Sequence, residues 1–487
     1  MNIYDLNLWL PSTLAFALHW VVIAALAVRV LMKRPMVGVA LAWLSVIVTL
    51  PLVGAVLYLL VGERRIGRDR MARIAEQDAL IQEWHKALSN RVVSDVDDPN
   101  DSTDPIRRHA RNLLGYPAQG GNRIELISGR DPSFDAIIAD IKSAQFTCEA
   151  VFYIWEDTGR ALEVAEALIE ASARGVRCRA MADAIGSRAF LRSKHADRLR
   201  QSGVELIESL PTGAIRTLFV RRDHRNHRKI IVVDSRVAYI GSQNMVDPRF
   251  FKQRSGVGEW VDAVTRVTGT SACTIAGVFE LDWAVEQSST CVLPVDSHDE
   301  ESDKGDAVIQ VFPSGPDHHP GSIHQVLLTA IYSAQEELVL TTPYFVPDDS
   351  LQTALVSAAL RGVDVSLVIP SRVDSILARY ASASNFSDLM RAGVKLYRFE
   401  GGLLHTKSIT IDGTASVFGS VNLDMRSFWL NFEISLFVYD KEFTGSLREL
   451  QESYIMDSVR YDLDEWEGRP FTRKFLENAA RLVGPLL

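Results

Sequence analysis

The chain opens on two long apolar stretches. Leu10 to Met32 is apolar except for His19 and Arg29, with Pro11 near its start, and Val37 to Val61 carries no charge. A membrane-spanning helix needs about 20 apolar residues. The pattern therefore predicts a transmembrane hairpin with helices at about 10–32 and 37–61, turned at the basic Lys33-Arg34-Pro35. Pro51 and Gly54 are the points where the second helix could kink. A cleavable signal peptide does not fit, because the N-terminus holds Asp5 and no basic leader, and no small-residue cleavage site follows. Beyond Glu63 the pattern becomes a charged amphipathic helix to about Val92, then a polar linker from Asp95 to Pro105.

After the linker, short apolar runs alternate with helical periods. Cys148 to Ile154 and Leu338 to Thr342 are strand-like, and Leu162 to Ala173 and Leu351 to Leu360 have helical apolar spacing. Lys229 to Val233 and Ser408 to Ile411 are β-branched strands, each followed by a second strand, Val237 to Ile240 and Ala415 to Phe418. The order repeats. Ile141-Lys142-Ser143-Ala144 parallels Ile331-Tyr332-Ser333-Ala334, and Ser202-Gly203-Val204 parallels Ala392-Gly393-Val394, each pair 190 residues apart. The expected architecture is α/β: two tandem α/β sandwich domains at 106–294 and 308–487. The hairpin would occupy 1–63, the amphipathic helix and linker 64–105, and an acidic linker 295–307.

The chemistry sits in the repeat. His227-x-Lys229-x4-Asp234-x6-Gly241-Ser242-x-Asn244 recurs as His405-x-Lys407-x4-Asp412-x6-Gly419-Ser420-x-Asn422. Opening a phosphodiester needs a nucleophile at phosphorus, positive charge on the equatorial oxygens and a proton for the leaving alkoxide. Two imidazoles can divide the first and last tasks near neutral pH. Lys229 and Lys407 would clamp phosphoryl oxygens, and the Asn244 and Asn422 amides and Ser242 and Ser420 hydroxyls would donate to them. The glycines would allow close backbone approach. In a strand, residues i and i+2 point the same way, so each His points with its Lys. Two motifs face to face would form one pseudo-symmetric site, whereas a single copy would lack either the acid or the nucleophile. The run Arg221 to Lys229 surrounds the first motif with basic residues and favours a phosphate site.

This doubled pattern resembles the HKD motif of the phospholipase D superfamily. Leu50-Pro51-Leu52-Val53-Gly54, Tyr58 to Glu63, Trp260-x-Asp262, Phe279-x2-Asp282-Trp283 and the terminal Arg481 to Leu487 make the chain most similar to the bacterial cardiolipin synthases. The resemblance covers essentially the whole chain. It implies transfer of a phosphatidyl group from one phosphatidylglycerol to another through a covalent phosphohistidine. Another phospholipase D-type phosphatidyltransferase or a hydrolytic phospholipase D is the alternative. By resemblance His227 is the nucleophile and His405 the general acid, and Asp234 and Asp412 complete the catalytic motif in a structural role. Glu433 is the carboxylate that orients the opposite histidine. Glu259 is its possible counterpart, although it lies 15 residues after Asn244 where Glu433 lies 11 after Asn422, and an exposed loop accounts for it equally well.

Composition narrows the partners. A net charge of -9 argues against bulk nucleic-acid binding. No Asp/Glu/His cluster has metal-ligand spacing and no Walker pattern occurs, so neither metal, nucleotide nor other cofactor is expected. Cys148, Cys178, Cys273 and Cys291 form no CxxC pair and read as buried thiols of a reducing compartment. Arg64, Arg65, Arg68, Arg70 and Arg73 after the second helix favour a multi-pass protein of the bacterial inner membrane, its catalytic domains facing the cytoplasm and acting on membrane lipids. A shallow re-entrant hairpin is the other topology.

Overall fold

The structure, a computed structural model, describes residues 17, 20–33, 37–62, 67–89, 103–211, 223–294, 305–317 and 319–482. Most of the segment 10–19, the polar linker up to Ser102, Arg221 and Arg222, most of the acidic linker and Val483 to Leu487 lie outside these residues. The chain divides into two compact units, Met1–Gly67 with Thr212–Asp223, and Arg68–Pro211 with His224–Leu487.

In the first unit residues 20–32 are helical. The single helix expected over 37–61 is instead Val37–Thr49 and Pro51–Leu57, with a π turn at Tyr58–Gly62. Proline explains the break. It has no N–H to continue the ladder and drives the preceding residue out of the helical region, and Leu50 sits at φ -128, ψ 69. Ile23, Leu26 and Val30 bury against Ile47, Ala55 and Tyr58, while Val21, Val28, Leu31, Leu52, Val53 and Val56 face outward. Among the described residues no helix is long and apolar enough to cross a membrane.

The second unit begins with the expected amphipathic helix, Arg68–Ser89, and among the described residues is built on one sheet of 16 strands, fifteen in a row with the short Arg225–Asn226 off that row beside Asn431–Val438. Its centre is an antiparallel pair, Gln119–Ser128 against Ala307–Ser314. Outward from Gln119–Ser128 the strands run Ala263–Gly269, Val237–Gly241, Ile230–Val233, Thr147–Phe152, Arg177–Asp183 and Glu205–Ser209. Outward from Ala307–Ser314 they run Asn431–Val438, Ala415–Gly419, Ser408–Ile411, Glu337–Thr341, Asp364–Pro370 and Lys395–Phe399, closed by Ser458–Arg460. The two orders match strand for strand, so the duplication read from sequence is a mirrored run of strands within a single sheet.

Three apolar clusters fill both faces. In the first half Phe134, Ile137, Val164 and Leu168, from helices Arg130–Ser143 and Arg160–Ala173, pack on Ala150, Ala180, Ile231 and Val233. Helices Ser322–Ser333 and Asp349–Leu360 do the same in the second half, through Ile323, Leu327, Leu351 and Leu355. On the opposite face Ile230 and Val232 share a cluster with Ile434, Leu436, Phe279 and Leu447. Alternate residues of one strand thus serve different clusters. This shared cluster joins the halves, and at roughly 1.5–3 kcal/mol per large apolar side chain it fixes their relative position. All four cysteines are buried and none forms a disulfide.

Candidate active site

Each motif enters the site on a short strand paired with the other half. Arg225–Asn226 runs parallel to Asn431–Phe432, with Asn226 opposite Phe432. Leu403–Leu404 runs parallel to Trp260–Val261, with Leu404 opposite Val261. The next residue on each strand is then a histidine facing a carboxylate. His227 Nδ1 lies 2.8 Å from Glu433 Oε2, and His405 Nδ1 lies 2.6 Å from Asp262 Oδ1. The backbone locks the same register: His227 N donates to Phe432 O at 2.8 Å, and His405 N donates to Val261 O at 2.8 Å.

Both histidines line one cleft of about 340 Å³, together with Asn244, Asn422, Arg225 and Asn431. Of the residues expected at a shared site, the cleft brings together His227, His405, Asn244 and Asn422. Tyr153 meets the His227 ring edge-on at 4.9 Å, and Trp260 lies over His405 at 4.2 Å. Burial pushes both imidazoles down to about 4, against the upward pull of their carboxylates. Burial would raise Glu433 and Asp262, but the facing imidazole, the motif lysine and a serine hydroxyl outweigh it and hold both below the usual carboxylate range. A neutral imidazole beside an ionised carboxylate carries its proton on Nδ1, which leaves the Nε2 lone pair for chemistry.

Several expected roles change. Glu259 is not the counterpart of Glu433. It is on the surface, paired with Arg130 at 3.1 Å, and Asp262 takes the place. Ser242 and Ser420 do not hold substrate phosphate, because each hydroxyl donates to a carboxylate at 2.5 Å, Ser242 to Asp262 and Ser420 to Glu433. The motif glycines open space for a strand and not for a ligand: a Cβ on Gly241 would sit 2.4 Å from Ala263 O, and one on Gly419 2.3 Å from Ile434 O.

Asp234 and Asp412 are not at the site. Each lies seven residues past its histidine, about 23 Å along an extended chain. Asp234, at φ 52, accepts from the backbone N–H groups of Gln145, Phe146 and Thr147 at 2.7–2.9 Å. Asp412, at φ 50, accepts from Gln335, Glu336 and Glu337 at 2.8–2.9 Å. They tie the hairpin end to the start of the neighbouring strand.

Lys229 and Lys407 are buried, and each ammonium donates to the carbonyl of its own histidine, at 2.6 and 2.5 Å. Neither lines the cleft. Burial lowers Lys229 to about 8 and Lys407 well below its ordinary value. Asn244 is steadied by Ile154 N, which donates to its Oδ1 at 3.2 Å, and the Asn422 N–H donates to Ser427 Oγ at 3.2 Å. Of the basic run, Arg225 faces the cleft, whereas Arg228 is spent on Asp282 and on Glu433 O, and His224 bonds to Leu430 O at 2.9 Å.

Asp262 escapes a fixed offset because the first half carries a longer loop before this strand. The Ser-to-carboxylate separation is 20 residues there and 13 in the second half. The position of Trp260-x-Asp262 within an apolar strand was the available signal, as Asn431-x-Glu433 was in the second half. The cleft also holds a group no sequence feature marked. Tyr344 donates to Asp374 at 2.5 Å, and Lys252, from the other half, reaches the same carboxylate at 2.9 Å.

Comparison with known proteins gives the family. A family model described as cardiolipin synthase, PLD-like domain, matches residues 137–255 and 327–454, and a phospholipase D-nuclease N-terminal model matches 21–63. Cardiolipin synthase A of Proteus mirabilis is 42% identical over 479 residues, 98% of each chain. That of Serratia proteamaculans is 43% identical over 472 residues, 96% of this chain and 97% of the relative. The fold is shared with the crystal structure of phosphatidylserine synthase from Haemophilus influenzae, at a TM-score of 0.59 and 15% identity over 79% of this chain and 100% of that one. The chain belongs to the bacterial cardiolipin synthases of the phospholipase D superfamily.

Proposed function

We propose that the protein makes cardiolipin by phosphatidyl transfer between two phosphatidylglycerol molecules, through a phosphohistidine on His227. The observation that carries this is the pair of imidazoles on one cleft, each oriented by a carboxylate from the other half. In the first step His227 Nε2 attacks the donor phosphorus, the bond to the headgroup glycerol breaks, and protonated His405 passes its proton to the leaving oxygen. In the second step the free hydroxyl of another phosphatidylglycerol gives its proton to neutral His405 and attacks phosphorus, and the P–N bond breaks. The proton gained by His405 in this step is the one it donates in the next cycle. One diester replaces another, so no nucleotide enters the balance.

The Asn244 and Asn422 amides supply fixed donors at the cleft wall, and Lys229 and Lys407 supply positive potential from behind the imidazoles. A low-dielectric setting makes that potential count for more than it would in water. The outward apolar face of the N-terminal helices suits hydrocarbon, and the arginines that follow favour a cytoplasmic catalytic body in the bacterial inner membrane. A membrane-held site meets both lipids where they reside.

The test is mass spectrometry of the products formed from phosphatidylglycerol in mixed micelles, with EDTA and without nucleotide, beside a His227→Ala control. Cardiolipin and free glycerol from the wild type alone are expected. Phosphatidic acid as the sole product would make the protein a hydrolase and overturn the reading.

A further inference from the structure

A second cavity, of about 400 Å³, adjoins the catalytic cleft, and Tyr344 and Ala378 line both. Its inner wall is apolar and buried, built from Phe345, Ile369, Phe386 and Trp466. Its rim is cationic: Arg379, Arg398 and Arg473 face a single carboxylate, Glu477. That carboxylate is engaged by Arg469 at 2.8 Å and by Arg473 at 3.2 Å, and Arg398 pairs with Glu400 at 2.8 Å, so with Arg379 four guanidinium groups stand against two carboxylates and the rim keeps net positive charge. Trp466, more than nine-tenths buried, carries an indole N–H with no hydrogen-bond partner among the described residues. A buried donor left this way is unfavourable unless something that enters the space accepts from it.

Two helices wall the cavity, Ile376–Ala383 and the C-terminal Phe471–Arg481. Both expose large apolar side chains to the outside: Ile376, Leu377, Phe471, Phe475 and Leu476. Greasy walls, a cationic rim and an apolar exterior match one kind of molecule, a phospholipid with an anionic headgroup. The first half treats the related place differently. Trp155, 190 residues before Phe345, is stacked face to face on buried Phe190 at 5.0 Å, so aromatic rings occupy it.

We propose that this cavity is the acceptor subsite, holding the second phosphatidylglycerol so that its headgroup hydroxyl reaches past Tyr344 into the cleft. The proposal rests on the phosphatidyl-transfer reading and adds where the second lipid sits. Tyr344 is fixed at the boundary by its hydrogen bond to Asp374, which Lys252 of the other half also holds. The donor lipid then occupies the pseudo-symmetric cleft, and the acceptor approaches from the second half alone. Phosphatidyl transfer between two identical molecules thus becomes an ordered process, because the two places differ in shape and charge.

The experiment uses the full chain in phosphatidylglycerol micelles with two readouts. Exchange of labelled glycerol into phosphatidylglycerol needs only the donor lipid and a small alcohol, whereas cardiolipin formation needs the acceptor lipid as well. Ser382→Phe fills the cavity and Arg398→Glu reverses its rim charge; both positions are partly exposed, so the fold is retained. Each variant is expected to keep exchange within about twofold and to lose cardiolipin formation by about tenfold or more, the scale of one lost charge-assisted contact. Wild-type cardiolipin rates in both variants, or exchange falling in parallel with cardiolipin, overturns the acceptor subsite. A wild-type enzyme that makes neither product overturns the phosphatidyl-transfer reading beneath it.

Discussion

Glu433 belongs to one half of the duplicated chain and His227 to the other, and their side chains meet at 2.8 Å because Phe432 and Asn226 are neighbours in a parallel strand pair. Asp262 and His405 repeat the relationship in reverse. Neither half holds both members of a working dyad. The duplication is therefore interlocked at the level of the hydrogen bond as well as of the shared core.

The dyads set the first prediction. Glu433→Gln and Asp262→Asn leave shape intact but remove the charge that fixes the imidazole tautomer and steadies the imidazolium. Each is expected to lower kcat by about 10²–10⁴-fold, with little change in the KM for phosphatidylglycerol. Glu259→Gln, on the surface beside Arg130, is expected to stay within about twofold of wild type, since an exposed ion pair contributes about 0–1 kcal/mol. Steady-state kinetics of the three variants decides whether Asp262 or Glu259 is the carboxylate that serves His405 as Glu433 serves His227.

The serines follow from the same network. Ser242→Ala and Ser420→Ala each remove a hydrogen bond to a buried carboxylate, which is about 1.5–3 kcal/mol of support for its ionised form. The expected result is a fall in kcat of about tenfold with a displaced pH profile. A rise in KM alone, with kcat unchanged, would instead place the hydroxyls on the substrate.

Asp234 and Asp412 are predicted to matter for stability and not for turnover. Asp234→Ala strands three backbone N–H groups and forces alanine to φ 52. A loss of about 2–4 kcal/mol is expected from the unsatisfied donors and the left-handed backbone together. Thermal unfolding should register that loss, while the specific activity of the folded fraction stays close to wild type. Asp412→Ala should behave alike.

Stability should also depend on pH in a definite direction. His227 and His405 protonate near pH 4 in the folded protein but near 6.5 when unfolded. Between those values the unfolded chain binds more protons, so stability falls as pH drops from about 6.5 towards 4. Glu433 and Asp262, held below their ordinary range, extend the loss further into acid. Melting temperatures measured from pH 7 to 4 should decline, and the double variant His227→Asn with His405→Asn should flatten the upper part of that slope.

The sequence by itself determined the duplication, the two motifs, the identity of the paired imidazoles and most strand and helix positions. These are local properties: side-chain type at fixed offsets, and apolar period within a segment. Ile230–Val233 and Ser408–Ile411 could be read as strands because β-branched residues fill them without interruption. Proline chemistry at Pro51 was local too, and the break falls at Leu50. Only the tertiary structure decided what crosses between the halves. That Asp262 and not Glu259 faces His405 depends on the register of Leu404 against Val261, and a longer loop in the first half hides that register from any fixed spacing. That Ser242 and Ser420 serve carboxylates, and that Gly241 and Gly419 make room for a strand, depends on which backbone passes beside them. The continuous sheet exists because Gln119–Ser128 and Ala307–Ser314 pair at its centre. Contacts between residues more than a hundred positions apart carry no period along the chain, so packing alone brings them together.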